Sequence, residues 1–250
     1  MNGFEKHNVN HLSASSINLW VNAPDLWIAK YLHGMKSNFG PAPRRGQCVE
    51  DAVGDALNGI PFDKAVADAE RKFDKTFLIG DEATTKERAL IAPMAEIALA
   101  ELEGYGKPQA IDPEFHQHRI EIKADFGGWH IPIIGFLDFR FPDGGLVVDL
   151  KTTTRVPSVM SPDHQLQRAI YAKANGNAAV KFLYVSAKKA SWLEDGDPAE
   201  VLARAKMQIA RLERFLTRCD KDVALEIVPH NPNSFYWRGD ETARNQFFGT

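Results

Sequence analysis

Cysteine is scarce: among 250 residues only Cys48 and Cys219 carry a thiol. Two thiolates are too few for a thiolate-ligated zinc or iron–sulfur site, so any metal here needs other ligands. Long apolar runs are missing too. No stretch reaches the roughly 18 residues that a membrane-spanning helix needs, and residues 1–10 lack the apolar centre of a secretory signal. A soluble, cytoplasmic protein is the expectation, with no membrane partner. Charge of one sign is also lacking. With a formal net charge of −3, contact with a nucleic acid has to come from local basic patches rather than the whole surface. There is no internal repeat, no low-complexity segment, and no helix-turn-helix or zinc module.

What is present is an ordinary globular composition, 44% hydrophobic and 25% charged, enough for a full core in a single domain. Helical signals dominate residues 1–107. Ser13 caps a short helix through Leu19 and Trp20, and Pro24 opens a second that Gly34 stops. Residues 36–43 read as loop. A helix then runs from Arg44 to about Asn58, ended by Gly59 and Pro61. Amphipathic stretches at 63–77 and 84–103 complete a helical wall. In residues 108–190 the pattern turns to alternation at 114–123, 129–141 and 146–151, a strand meander. A helix over 162–175 and a strand over 180–187 follow. Residues 191–250 hold a long helix over 198–219 and a last strand around 225–228. This order predicts an α+β (α/β) fold: a central mixed β-sheet flanked by helices, with an N-terminal helical region.

The chemistry gathers on one strand, Leu146-Val147-Val148-Asp149-Leu150-Lys151. Alternation puts Asp149 and Lys151 on one face and Leu146, Val148 and Leu150 on the other. Charges on an apolar strand are costly unless something uses them. Upstream, Phe141-Pro142-Asp143-Gly144-Gly145 is a hairpin signal. A two-residue Asp143-Gly144 loop, or a four-residue loop over 142–145, seats Asp138 directly opposite Asp149. Opposed carboxylates destabilise a bare sheet, but they are what a hard divalent cation needs. Lys151 lies about 6.6 Å further along the same face. From there a lysine can position or deprotonate a water whose pKa the metal lowers. Ser161-Pro162-Asp163 then starts a helix that carries His164, Gln167, Arg168 and Tyr171 along one face. All four are hydrogen-bonding groups within reach of phosphate oxygens.

Gly135-Phe136-Leu137-Asp138, then Asp149-Leu150-Lys151, then Gln167-x-x-x-Tyr171 resembles the PD-(D/E)xK nuclease superfamily, in particular its RecB/Cas4-like exonuclease branch with its many phage-encoded members. Gly46-Gln47-Cys48-Val49-Glu50 is similar to the upstream helix element of that branch, and Leu12-Ser13-Ala14-Ser15 to its N-terminal element. The resemblance covers roughly residues 11–190. It implies a restriction-endonuclease-like core. It also implies that Glu50, Asp138 and Asp149, with the carbonyl of Leu150, ligate Mg²⁺ or Mn²⁺. Lys151 then orients the attacking water, while Gln167 and Tyr171 hold the substrate strand or brace the site. Two departures stand out. Glutamate occupies position 50 where histidine is usual, and the cysteines that hold an iron–sulfur cluster in some relatives are missing, so no cluster is inferred.

For a DNA partner, Arg44 and Arg45 precede the Glu50 helix, and Thr152 and Thr153 follow Lys151. Arg204, Arg211, Arg214 and Arg218 form a stripe on the long helix. Trp20, Trp27, Trp192 and Trp237 are candidates for stacking on bases. The expected function is a metal-dependent DNA exonuclease acting in recombination, repair or degradation. An endonuclease on the same core and a catalytically silent DNA-end-binding subunit are the alternatives. The family setting adds a single-strand-binding or annealing protein as a partner class, an oligomer as an option, and host cytoplasm as the location if the chain is phage-encoded.

Overall fold

Ser13 caps its helix as expected. Its hydroxyl accepts from the Ser16 amide while the Ser16 hydroxyl returns to the Ser13 amide, a reciprocal box that satisfies two helix-end donors. The structure, a computed structural model, describes residues 1–36, 40–78, 80–109, 118–123, 127–142, 145–231, 233–237 and 241–249. After a one-turn α1 (Gly3–Lys6) come α2 (Ala14–Asn22) and α3 (Pro24–Tyr31). Helix α4 (Pro41–Leu57) starts ahead of Arg44, because Pro41 and Pro43 sit in its first turn, where no backbone N–H is needed. Helix α5 (Phe62–Thr76) matches its pattern. The expected single helix over 84–103 is instead α6 (Glu82–Arg88) and α7 (Ile91–Leu102). Pro93 explains the break, since its ring excludes the carbonyl four residues back, at Ala89.

The strands are β1 (His118–Ile122), β2 (Ile133–Leu137), β3 (Phe139–Phe141) and β4 (Leu146–Thr152). The expected first strand's residues 114–117 lie outside the described residues. Then follow α8 (Pro162–Ala174), β5 (Ala179–Val185), an unanticipated β6 (Ala190–Leu193), α9 (Pro198–Arg218), α10 (Lys221–Ile227) and α11 (Glu241–Phe248). The strand expected around Leu225 is therefore a helix. Val228 N donates to Ala224 O at 3.3 Å to close its last turn, and Ala224 is fully buried. So short a run as Leu225-Glu226-Ile227-Val228 fits either period, and packing decides between them.

The fold is mixed α/β, as the sequence predicts. One sheet runs β3-β4-β5-β6, parallel at β4/β5 and antiparallel elsewhere, and β1 pairs with β2 in a small antiparallel sheet. The hairpin register is the expected one, with Phe139 opposite Val148 and Phe141 opposite Leu146. Asp143 and Gly144 themselves lie outside the described residues, but Gly145 N donates to Pro142 O at 3.2 Å across the turn.

The two faces of β4 enter different apolar clusters. Leu146, Val148 and Leu150 pack with Val49 and Val53 of α4, Phe73 of α5 and Met94 of α7. Val147 joins Ile170 of α8 and Ile209 and Leu212 of α9. Each fully buried side chain of this kind contributes roughly 1.5–3 kcal/mol relative to exposure. Helices thus cover both faces and hold β4 rigidly in the middle. Among the described residues no helix is long and apolar enough to cross a membrane.

Candidate active site

Pairing between β3 and β4 stops at Phe139, and the chain bends at Asp138 where it passes into β2. The bend turns the carboxylate onto β4. Asp138 Oδ2 accepts from Leu150 N at 2.8 Å, taking the amide that a longer β3 would have used. A strand residue sends its N–H and C=O to the same side, so the Leu150 carbonyl also faces the Asp138 side. Asp149 lies on the α8 face of β4. Its Oδ1 accepts from Gln167 Nε2 at 2.9 Å, and its Oδ2 pairs with the Lys151 ammonium. The second Gln167 amide hydrogen goes to Tyr171 Oη at 2.7 Å, and that hydroxyl donates to Phe136 O at 2.7 Å. Gln167 and Tyr171, one helical turn apart, thereby lock Asp149 to β2.

Two glycines make these approaches possible. A Cβ on Gly135 would stand 2.6 Å from Tyr171 Cε1, so any side chain there would push the phenol off Phe136 O. A Cβ on Gly46 would stand 3.1 Å from Thr152 Oγ1, so the missing side chain lets α4 lie against the end of β4. One turn on, α4 delivers Glu50 to the same cleft. This opening of ≈ 890 Å³ is lined by Glu50, Asp138, Asp149, Leu150 and Lys151, with Gln167 and Tyr171 along α8.

The electrostatics are those of a crowded acid site. Asp138 and Asp149 are 6% and 1% exposed. Burial raises the Asp138 carboxyl well above the usual range, and the negative charges of Glu50 and Asp149 add to it. Burial raises Asp149 as well, partly offset by Lys151. For Lys151, burial alone would lower the pKa, but Asp149 and then Asp138 outweigh it and hold the ammonium above its ordinary value. Its Nζ also stands 5.3 Å from the centroid of the Phe182 ring, a cation–π contact.

No family model matches the chain, and no curated protein is similar to it in sequence. Among solved structures, one described as "Crystal structure of SSO0001" aligns with 73% of this chain and 94% of its own, at 13% identity and a TM-score of 0.35. A likeness of that size carries no argument.

The cleft thus unites Glu50, Asp138, Asp149, Leu150, Lys151, Gln167 and Tyr171. Other expected residues go elsewhere. Arg45 is buried and paired with Glu87, and its Nη2 donates to Thr152 Oγ1 at 3.1 Å, so it ties α4 to β4 instead of facing a phosphate. Arg44 donates to Gln47 Oε1 and to the Lys72 carbonyl. Thr153 Oγ1 donates to Arg155 O at 3.0 Å. Arg168 turns the other way, donating through Nε to Val180 O at 2.9 Å and through Nη1 to Asp195 O and Gly196 O. Helical spacing gave it the right face, but the reach of its side chain took it to the β5 end. None of Arg44, Arg45, Thr152, Thr153 and Arg168 lines the cleft. The arginine stripe is solvent-exposed along α9, and Trp27 and Trp237 are core residues.

The sequence places His164 among the phosphate-facing groups of its helix, and gives Phe136 and Tyr236 no role. His164 Nδ1 lies 2.5 Å from Tyr184 Oη, and burial, aided by Lys151, pushes its imidazole down to about 4, so it is neutral at neutral pH. Phe136 shows its ring to the cleft. Tyr236 reaches Asp163 Oδ2 at 3.0 Å.

The donor set suits a hard divalent cation: three carboxylates and a strand carbonyl, all oxygen. Among the described residues, no three acidic, histidine or cysteine side chains are already drawn to a common ligand distance. In this arrangement the Lys151 ammonium sits against Asp149, the place a cation would take.

Proposed function

We propose that the chain is a metal-dependent deoxyribonuclease of the PD-(D/E)xK type, an exonuclease that hydrolyses phosphodiester bonds at DNA ends. The carrying observation is the pair of buried aspartates, Asp138 and Asp149, converging with Lys151 on one open cleft. Buried carboxylates side by side are costly unless something uses them, and a divalent cation acting on a phosphodiester would do so. End specificity rests on the resemblance of the motif set.

Glu50, Asp138, Asp149 and the Leu150 carbonyl would hold Mg²⁺ or Mn²⁺. Such an ion supplies Lewis acidity toward the phosphate and lowers the pKa of a bound water. The chain's own residues do the rest. Lys151, whose ammonium Asp149 and Asp138 hold above its ordinary pKa, would orient the water and offset charge growing on the phosphate. Gln167 occupies Asp149 Oδ1, so Oδ2, here paired with Lys151, is the oxygen that would turn to the ion. Tyr171, anchored on Phe136 O, fixes the distance between α8 and β2.

The test is incubation of linear and closed circular duplex with and without Mg²⁺. Loss of the linear form alone, only with metal, is expected. Equal loss of circles would make the enzyme an endonuclease. No loss of either form with any divalent metal would sink the enzymatic reading.

A further inference from the structure

Phe136 is the cleft's unexplained aromatic. The other sheet phenylalanines of this region, Phe139 and Phe141, are each 1% exposed, whereas Phe136 is 45% exposed. Alternation along β2 puts Ile134 and Phe136 on one face, and both line the cleft together with Asp138, which sits two residues beyond Phe136 at the bend. Two strand residues span about 6.6 Å, the scale that separates a backbone phosphate from its own base.

The strand under this ring is held from both edges. Ile134 N donates to Leu12 O at 2.9 Å on one side, and Phe136 pairs with Arg119 of β1 on the other. The Phe136 carbonyl is further fixed by Tyr171 Oη. The ring is therefore displayed by rigid backbone, not by a loose loop. A large apolar face pointing into a charged, open cleft is unfavourable in water and is stabilised when a flat apolar partner covers it.

We propose that Phe136 is a stacking platform for the base of the nucleotide whose phosphate lies at Asp138 and Asp149. A base stacked on Phe136 has left its neighbour in the duplex, so the preferred substrate is an unpaired strand end, single-stranded or frayed. This rests on the nuclease reading above and adds the form of DNA to it.

The test uses oligonucleotides carrying 2-aminopurine or an abasic residue at either terminus, bound to the whole protein in Ca²⁺. Wild type should quench the terminal 2-aminopurine and bind an overhang-ended duplex more tightly than a blunt one. Phe136→Ala should lose the quenching and weaken overhang binding about ten-fold, while Phe136→Trp keeps both. An abasic terminus should cost wild type a similar factor and cost Phe136→Ala nothing further. Unchanged binding and quenching in Phe136→Ala would overturn the proposal while leaving the nuclease reading intact. So would an abasic penalty equally large in both proteins, or loss of a wild-type oligomer in Phe136→Ala as the sole effect. A wild type that neither binds nor cleaves strand ends would defeat the nuclease reading as well.

Discussion

Asp25 and the Asp138/Asp149 pair are buried to the same degree, yet the chain treats them in opposite ways. Asp25, 1% exposed at the start of α3, accepts hydrogen bonds on both oxygens. Leu26 N stands at 2.8 Å, His230 Nδ1 at 2.7 Å, Trp237 Nε1 at 2.9 Å and Asn231 N at 3.4 Å. These donors come from its own helix and from the C-terminal tail, so the carboxylate pins the tail to the N-terminal helices. No second acid is among those partners. Asp138 and Asp149 share their cleft with each other and with Glu50, and burial drives the carboxyls upward in pKa. A buried acid surrounded by donors is architecture. Buried acids crowded together beside an open cleft are the arrangement on which the proposed chemistry rests.

Substitution can break this contrast at either end. The largest effect belongs to Lys151→Ala and Asp149→Asn, each expected to lower DNA cleavage by roughly a thousand-fold or more while circular dichroism and melting stay near wild type. Near-normal cleavage by either variant would remove the assignment. Asp25→Ala should do the reverse. Stranding the tail donors should lower stability by about 3 kcal/mol, read by urea unfolding, with cleavage per folded molecule unchanged. Gly135→Ala should cost about 2 kcal/mol through overpacking against Tyr171, and cleavage should fall along with stability, because Tyr171 braces Asp149 through Gln167.

The smallest effect is the most pointed. Asp138→Asn keeps an acceptor for Leu150 N but removes a buried charge, so the metal-free protein should gain about 1 kcal/mol. The pH dependence follows from the sign of the shift. An unfolded aspartate titrates near 3.9, and folded Asp138 titrates well above that. Between the two values the native state holds the extra proton, so metal-free stability is greatest at the acid end and falls as pH rises through the folded pKa. Melting curves of metal-free wild type should therefore drop across this interval more steeply than those of Asp138→Asn. Equal slopes would show that Asp138 carries no such penalty.

Much of the site was legible in sequence because it is local or strand-periodic. Asp149 and Lys151 share a face by alternation, and the turn signal near Asp143 was enough to set the register that brings Asp138 to β4. The direct opposition of Asp138 to Asp149 that this register implied is not formed. Asp138 leaves the ladder at a bend and approaches through Leu150 N, since β3 ends one residue short. Long flexible cations were the least legible. Arg45 and Arg168 have the right backbone positions, but their guanidinium groups found Glu87 and the Val180 carbonyl, partners on other elements that no periodicity marks. Trp237 reads as a stacking candidate until Asp25, on a distant helix, is seen to hold its indole. Pro93 did carry a legible signal, a proline in mid-helix, and α6 and α7 divide just ahead of it.

The central claim is that the Asp138/Asp149 cleft stores carboxylate repulsion which a divalent cation relieves. Its most direct test is the melting temperature of wild type, Asp138→Asn, Asp149→Asn and Asp25→Ala with and without millimolar Mn²⁺, since a ligand that binds only the native state stabilises it in proportion to its occupancy. Wild type and Asp25→Ala should each gain several degrees from the metal, and the Asp138 and Asp149 variants should gain little or nothing. No gain in wild type, or an equal gain in Asp149→Asn, would contradict the account.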